Sequence, residues 1–226
     1  MAKEKKNERK NEHEIQEEKP SKHKEKELYW IILGMIGIIV IVIGVYYYSQ
    51  SLKKFEFEGL EFSKEYFGKI PLFRYSYYFT DDVGRNRSVN LNLRIDPRKN
   101  NVSIDGEIIY PKDKFVYVSI NSTNLTSCDF SAPSVSSLAQ FLSSNNIEVK
   151  SAFPDEKEAN STGIRHANCN THPTNLVILI QSGKETKITK PTPNCHIIDV
   201  SNCEILDAIE KFELQSIVDA KNAELV

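Results

Sequence analysis

Histidine and cysteine gather in one stretch of this chain, His166-Ala-Asn-Cys169-Asn-Thr-His172, and again at Cys195-His196. Imidazole and thiolate are good ligands for zinc and copper, so His166, His172 and His196 are the candidate metal ligands. The spacing argues against a structural zinc site, because short paired CxxC or HxxxH knuckles are absent. If Cys169 is bridged, only histidines remain as ligands. A disulfided Cys169 flanked by two surface histidines is the favoured reading, and no metal or other cofactor is expected.

Cys128 precedes a helix start, where a helix dipole would stabilise a thiolate nucleophile. No histidine lies near it in sequence and no CxxC is present, so a bridged structural cysteine is the expectation. Arg94, Asp96, Arg98 and Lys99 in LRIDPRKN concentrate charge after a strand and would suit an anion. Asp-Pro followed by Arg-Lys-Asn-Asn is also an ordinary turn, the reading preferred here. Asp155, Glu156 and Glu158 form an acidic run in a loop. Paired carboxylates hydrolyse glycosides only at a defined separation in space, and these are read as solvated. No Walker loop, GxGxxG or GxSxG elbow occurs.

The elements that must hold these residues are legible as strands first. Phe55 and Phe57 alternate with glutamates, and LFRYSYYFT (72–80) is aromatic and β-rich. VNLNLRI (89–95) puts Val89, Leu91, Leu93 and Ile95 on one face. Asp105-Gly106 within 101–110 predicts a hairpin, and FVYVSI (115–120) follows. This half reads as a meander or antiparallel sheet. Ser131-Ala-Pro133 then supplies a cap and a proline for a helix that repeats Val135, Leu138 and Leu142. A turn at Asn145-Asn146 leads to a strand over 147–153, and 154–173 reads as polar and irregular. NLVILIQS (175–182) is apolar throughout, as a central strand buried on both faces would be. Gly183 turns it into 185–190 and then CHIIDV (195–200). Ser201 and Glu204 read as a capping box for a helix presenting Ile205, Leu206, Ile209, Phe212 and Ile217. The expected fold class is α+β or α/β, one mixed-sheet domain over 55–220 with two main helices; two subdomains are the alternative.

Strand direction bears on the cysteines. If 115–120, 175–182 and 196–200 run the same way, Cys128 and Cys203 both follow strand ends, while Cys169 and Cys195 both precede strands. Cys195 and Cys203 bracket one strand, too far apart for a bridge if the path is extended. Of three pairings this favours 128–203 with 169–195.

Ahead of the domain the composition changes sharply. Residues 1–27 carry nine Lys/Arg, eight Asp/Glu and almost nothing aliphatic, which reads as a disordered cytoplasmic tail. Lys22, Lys24 and Lys26, diluted by Glu25 and Glu27, make a poor lipid-binding patch. Leu28–Tyr48 is uncharged, long enough to span a bilayer, and flanked by Tyr29 and Trp30 at one end and Tyr46, Tyr47 and Tyr48 at the other. It is read as an uncleaved signal anchor, because YYYSQSL offers no small-x-small cleavage site. Gly34, Gly37 and Gly44 would allow close approach of a second helix, but no GxxxG pair is present, so anchor-mediated self-association is the minor reading. Residues 49–54 are a linker and 221–226 a C-terminal tail. The positive-inside count is nearly tied: Lys19, Lys22, Lys24 and Lys26 against Lys53, Lys54, Lys64 and Lys69. The four cysteines and five glycosylation sequons, at Asn86, Asn101, Asn121, Asn124 and Asn160, all follow the anchor. They favour a cytoplasmic N-terminus and a domain outside, a type II single-pass arrangement in the cell membrane. Residues 49–226 balance 20 basic against 23 acidic side chains with no basic stripe, so nucleic acid is not an expected partner.

LRIDPRKN, the four-cysteine layout and the ending CHIIDVSNCEILDAIEKFELQSIV together resemble a group of uncharacterised single-pass membrane-anchored proteins of small-genome archaea, over most of residues 55–220. The resemblance implies a cell-surface setting and no known activity, and it assigns no functional residue. The leading expectation is a non-enzymatic domain that binds a protein partner at the cell surface or takes part in envelope assembly. The alternative is an anchored enzyme using a metal at His166, His172 and His196, or the Cys128 thiol.

Overall fold

A computed structural model of the chain describes residues 22–51, 53–80, 83–110, 115–172 and 174–224. The disordered tail expected over 1–27 lies mostly outside the described residues. The chain divides into two units, one ending at Ser51 and one beginning at Leu52.

The first unit holds α1 (Lys22–Ser51). It begins six residues before the apolar stretch, because the Lys/Glu run ahead of Leu28 consists of good helix formers that extend the helix into the charged flank. Within it Leu28–Ser49 has a mean hydropathy of 2.8 and is long enough to cross a membrane.

The second unit opens with an antiparallel meander. Strands β1 (Lys54–Phe57), β2 (Leu60–Phe67), β3 (Ile70–Thr80) and β4 (Asn86–Leu93) lie side by side in chain order. Glu58 and Gly59 both take positive φ, the requirement of a two-residue hairpin turn. Alternation places Phe55, Phe62, Phe73, Tyr75, Leu91 and Leu93 on the inner face, where successive rings meet at 5.5 to 6.0 Å. The outer face carries polar cross-strand pairs such as Arg74–Asn92 and Ser76–Asn90.

A mixed sheet follows, in the order β5-β10-β11-β9-β6-β7-β8. Its strands are β5 (Ser103–Asp105), β6 (Val116–Ile120), β7 (Val149–Phe153), β8 (Arg165–His166), β9 (Leu176–Ser182), β10 (Lys187–Thr192) and β11 (Cys195–Val200). β6, β7, β8, β9 and β11 are parallel, and β10 runs against β11. The Asp105-Gly106 hairpin does not form. Gly106 does turn the chain at φ +91°, but β5 pairs in parallel with β10, more than eighty residues later. The antiparallel reading therefore ends at β4.

Among the described residues three helices complete the domain: α2 (Ser131–Ser144), α3 (Glu156–Thr162) and α4 (Ile205–Glu224). The N-cap of α2 is Phe130, not Ser131, whose hydroxyl instead donates to the Cys128 carbonyl. The stretch expected to be irregular contains α3: Asp155 accepts from the Lys157 and Glu158 N–H groups, and Gly163 closes the helix in the left-handed region. The Ser201/Glu204 capping box is absent. Asn202 and Cys203 have φ of 50° and 60°, which excludes them as the first helical residues, and the helix starts at Ile205.

One apolar core joins both sheets. Leu60, Phe62, Phe73 and Leu93 meet Leu138 and Leu142 of α2, Ile209 and Phe212 of α4, and Val118, Ile178 and Ile198 of the mixed sheet. α4 touches β10 and β11 on one side and β4 on the other, so it is buried around most of its circumference. The opposite face of the mixed sheet is covered by residues 167–172, with Tyr117, Ala152, Val177 and Cys195 beneath.

Candidate functional site

The mixed sheet separates the candidate metal ligands. Cys195 faces the 167–172 segment, so its neighbour His196 points to the other face and packs edge-on against Phe212, with ring centroids 5.6 Å apart. His196 is fully buried and neither ring nitrogen has a hydrogen-bond partner. Burial, helped by the charge of Lys190, pushes its pKa down to about 4. His172 lies on the far side, its ring centroid 4.5 Å from that of Tyr117 and its Nδ1 2.9 Å from the Thr171 hydroxyl. Burial, then the His166 and Arg165 charges, lower its pKa. His166 Nε2 sits 3.1 Å from the Pro154 carbonyl oxygen. Among the described residues no group of three or more His, Cys, Asp or Glu side chains is placed to hold a metal ion. The three-histidine site is corrected accordingly.

The thiol reading is corrected as well. Cys128 is bonded to Cys203, Cys169 to Cys195, and no cysteine is free. Cys128 follows β6 and Cys203 follows β11, with β9 between those strands, so this bridge crosses the end of the central strand. The Asn121 N–H donates to the Ile180 carbonyl at the same edge. Open α/β sheets usually take ligands there, outside the carboxyl ends of parallel strands. Here that edge is strapped.

The charged turn is also internally satisfied. Arg98 donates twice to Asp96, at 2.9 and 2.7 Å, and lies 4.0 Å from the Phe55 ring centroid. The Arg98 hydrogen bonds are the main reason the Asp96 pKa is lowered. Asp155 is spent on capping α3, and Glu158 accepts from the Ser122 hydroxyl. Of the sequon asparagines, Asn86, Asn101, Asn124 and Asn160 are exposed, while Asn121 is half-buried and accepts the Thr123 N–H.

The site that does emerge lies elsewhere. A cleft of about 360 Å³ opens between β4, α2 and α4. Its walls mix polar side chains, Asn90 and Asn92 of β4 and Ser136, Ser137, Gln140 and Ser144 of α2, with apolar ones such as Leu72, Phe141 and Leu206. Arg94 stands at one end, and Glu210 and Glu213 reach it from α4. β4 is the edge strand of its sheet, paired with β3 on one side only.

The two glutamates are buried in different circumstances. Glu210 accepts the Arg94 N–H at 2.7 Å and the Ile95 N–H at 2.9 Å, one with each carboxylate oxygen. It pins the end of β4 to α4. Burial raises its pKa to about 7, against the pull of those two N–H groups. Glu213, one turn on, receives the Ser137 hydroxyl at 3.1 Å. Burial raises its pKa to about 8, with the Glu210 charge adding to the rise and Ser137 opposing it. A carboxyl held protonated near neutrality in a desolvated cleft donates a hydrogen bond, or becomes a strong counter-ion when a cation arrives. Neither is arranged as part of a nucleophile–base pair.

Sequence reasoning missed both. Glu210 and Glu213 fall on what reads as the solvated face of an amphipathic helix, and the presence of β4 and α2 against that face makes them interior. No family model matches the chain, and no curated protein or solved structure matches it either.

Proposed function

We propose that this chain is a single-pass membrane protein whose N-terminus is cytoplasmic and whose disulfide-braced domain stands outside the cell as a binding module. The apolar helix, the two bridges and the sequons support that placement. The cleft along β4 receives an extended segment of another polypeptide, with a basic side chain directed at Glu213. One observation carries this: a strand edge without a strand partner runs beside two buried carboxyls. Adding a strand supplies the missing ladder, and a cation offsets the burial of Glu213. A role in assembling the cell envelope fits such a module, and so does the cell-surface setting that the resemblance implies.

The test is binding of short alternating peptides to the full chain in detergent, read by fluorescence anisotropy. A peptide with a central lysine should bind more tightly as pH rises from 6 to 9. Replacing that lysine by norleucine, or Glu213 by Gln, should weaken binding by roughly tenfold, the scale of one charge-assisted hydrogen bond. Equal binding of basic and neutral peptides, or none of either, defeats the proposal. Protease added to intact cells tests the orientation: it should remove the domain and spare α1.

A further inference from the structure

We infer that the tip of the β2–β3 hairpin forms a second membrane contact, seated among the lipid headgroups of the bilayer that holds the chain. This rests on the anchored reading above and not on the cleft.

Three large apolar side chains stand out at that tip. Tyr66 is 63% exposed, Phe67 77% and Ile70 46%, within five consecutive residues. Single exposed hydrophobic residues are ordinary, but clustering on one projecting turn is not. The turn itself needs only Gly68, at φ +63°, and makes no demand for aromatic neighbours. Phe67 and Ile70 are the closing pair of the ladder, so they mark its furthest reach.

The chemistry is that of a headgroup layer. Tyrosine joins an apolar ring to a polar tip, and lysine carries a long apolar stem to a cation; both favour the interface over water or hydrocarbon. Lys64 Nζ lies 5.4 Å from the Tyr66 ring centroid, and Lys69 is exposed in the turn. No acidic residue intervenes between Tyr66 and Ile70.

Register puts the tip at the right end of the sheet. Lys54 pairs with Ser63, so β2 continues four residues past the start of β1, about 14 Å at strand rise. Lys54 follows Ser51, the last residue of α1, by three positions, and a chain of that length reaches about 10 Å. The hairpin thus projects from the sheet end at which the chain enters the domain, and its reach past Lys54 exceeds that of the tether, so on the anchored reading the tip is long enough to meet the bilayer surface. Tyr78, 78% exposed near the other end of β3, sits about 27 Å away along the strand and has no such access.

The experiment places a tryptophan reporter in the full chain, with Trp30→Phe as background. The chain is reconstituted into vesicles of phosphatidylcholine and phosphatidylglycerol, with or without lipid brominated near the carbonyls. Phe67→Trp and Ile70→Trp should show blue-shifted emission, quenched by brominated lipid about twofold or more, as interfacial tryptophan is. Tyr78→Trp should remain accessible to iodide and indifferent to bromine. If Phe67→Trp and Ile70→Trp behave like Tyr78→Trp while the chain floats with the vesicles, the hairpin contact is refuted and the anchor stands. Blue-shifted emission untouched by brominated lipid also refutes it, because the tip is then covered by protein. A chain that fails to float overturns the anchor and this inference together.

Discussion

Glu213→Gln isolates the electrostatic cost that the cleft imposes on the fold. Glu213 has its pKa raised from 4.5 to about 8 by burial. Between those values the folded state keeps a proton that the unfolded chain has released. The contribution to stability is therefore complete below pH 4.5, declines as pH rises, and is exhausted above about 8. A rise of that size corresponds to about 5 kcal/mol, which sets the upper bound for what is lost. Glutamine matches the shape, still accepts from Ser137, and never ionises. The variant should equal the parent at pH 4.5 and exceed it by about 3 to 5 kcal/mol at pH 9, because only the parent must bury a charge or hold a proton. Urea unfolding of the full chain in detergent, without reductant and followed by far-UV circular dichroism, reads this as a midpoint shift of about 2 M. Titrating groups that do not interact with Glu213 cancel in the difference between the two proteins. Parallel stability curves across the whole pH range would show that Glu213 ionises without cost, and the account of the cleft would fail.

Three other outcomes are expected. His196 has its pKa lowered from 6.5 to about 4, so stability should fall as pH drops from 6.5 through 4, by about 3 kcal/mol, and His196→Leu should abolish that acid limb of the urea profile. Glu210→Ala leaves the Arg94 and Ile95 amides without their acceptor, and hydrogen exchange at those two positions should accelerate by about tenfold or more. Replacing Cys128 and Cys203 together by serine opens a cross-link between residues 75 apart and should cost about 4 kcal/mol on the chain-entropy account, read as a lower urea midpoint.

Where a residue's surroundings are local or periodic, the sequence was a sound guide. β9 is apolar throughout because parallel neighbours and both faces enclose it, and that run is visible in NLVILIQS. β3 and β4 alternate because one face meets the core and the other meets water. The mixed α+β character, with α2 and α4 as the main helices, follows from such patterns. α3 left no apolar period: in EKEANST only Ala159 is buried, and its cap and closing glycine are the sole signals. β5 is three residues long, and its partner comes after six further elements, so nothing nearby announces it. The cleft was illegible for a different reason. An amphipathic pattern assumes one buried face, whereas α4 has neighbours on two. The histidines show the converse. Their nearness in sequence suggested a site, but strand parity at Cys195-His196 sends the imidazole to the opposite face from His172, and four strand positions separate it from His166.

The placement of α4 also sets the order in which the domain can be completed during synthesis. The inner face of the meander, with Phe62, Phe73, Leu91 and Leu93, is covered in part by a helix that begins 112 residues after β4 ends. At about 5 to 20 residues per second the ribosome needs roughly 6 to 22 s to supply it. Over that interval the aromatic ladder lacks the part of its lid that α4 supplies, while Cys128 waits for a partner that arrives just ahead of the same helix. The nascent domain is therefore a substrate for whatever guards unfinished chains, and a truncation that removes α4 should halt maturation of both sheets at once. Having the apolar helix first in the chain changes the hazard. On the anchored reading proposed above, unfinished copies are held in a two-dimensional film, apart from soluble aggregation partners, until the last helix closes them.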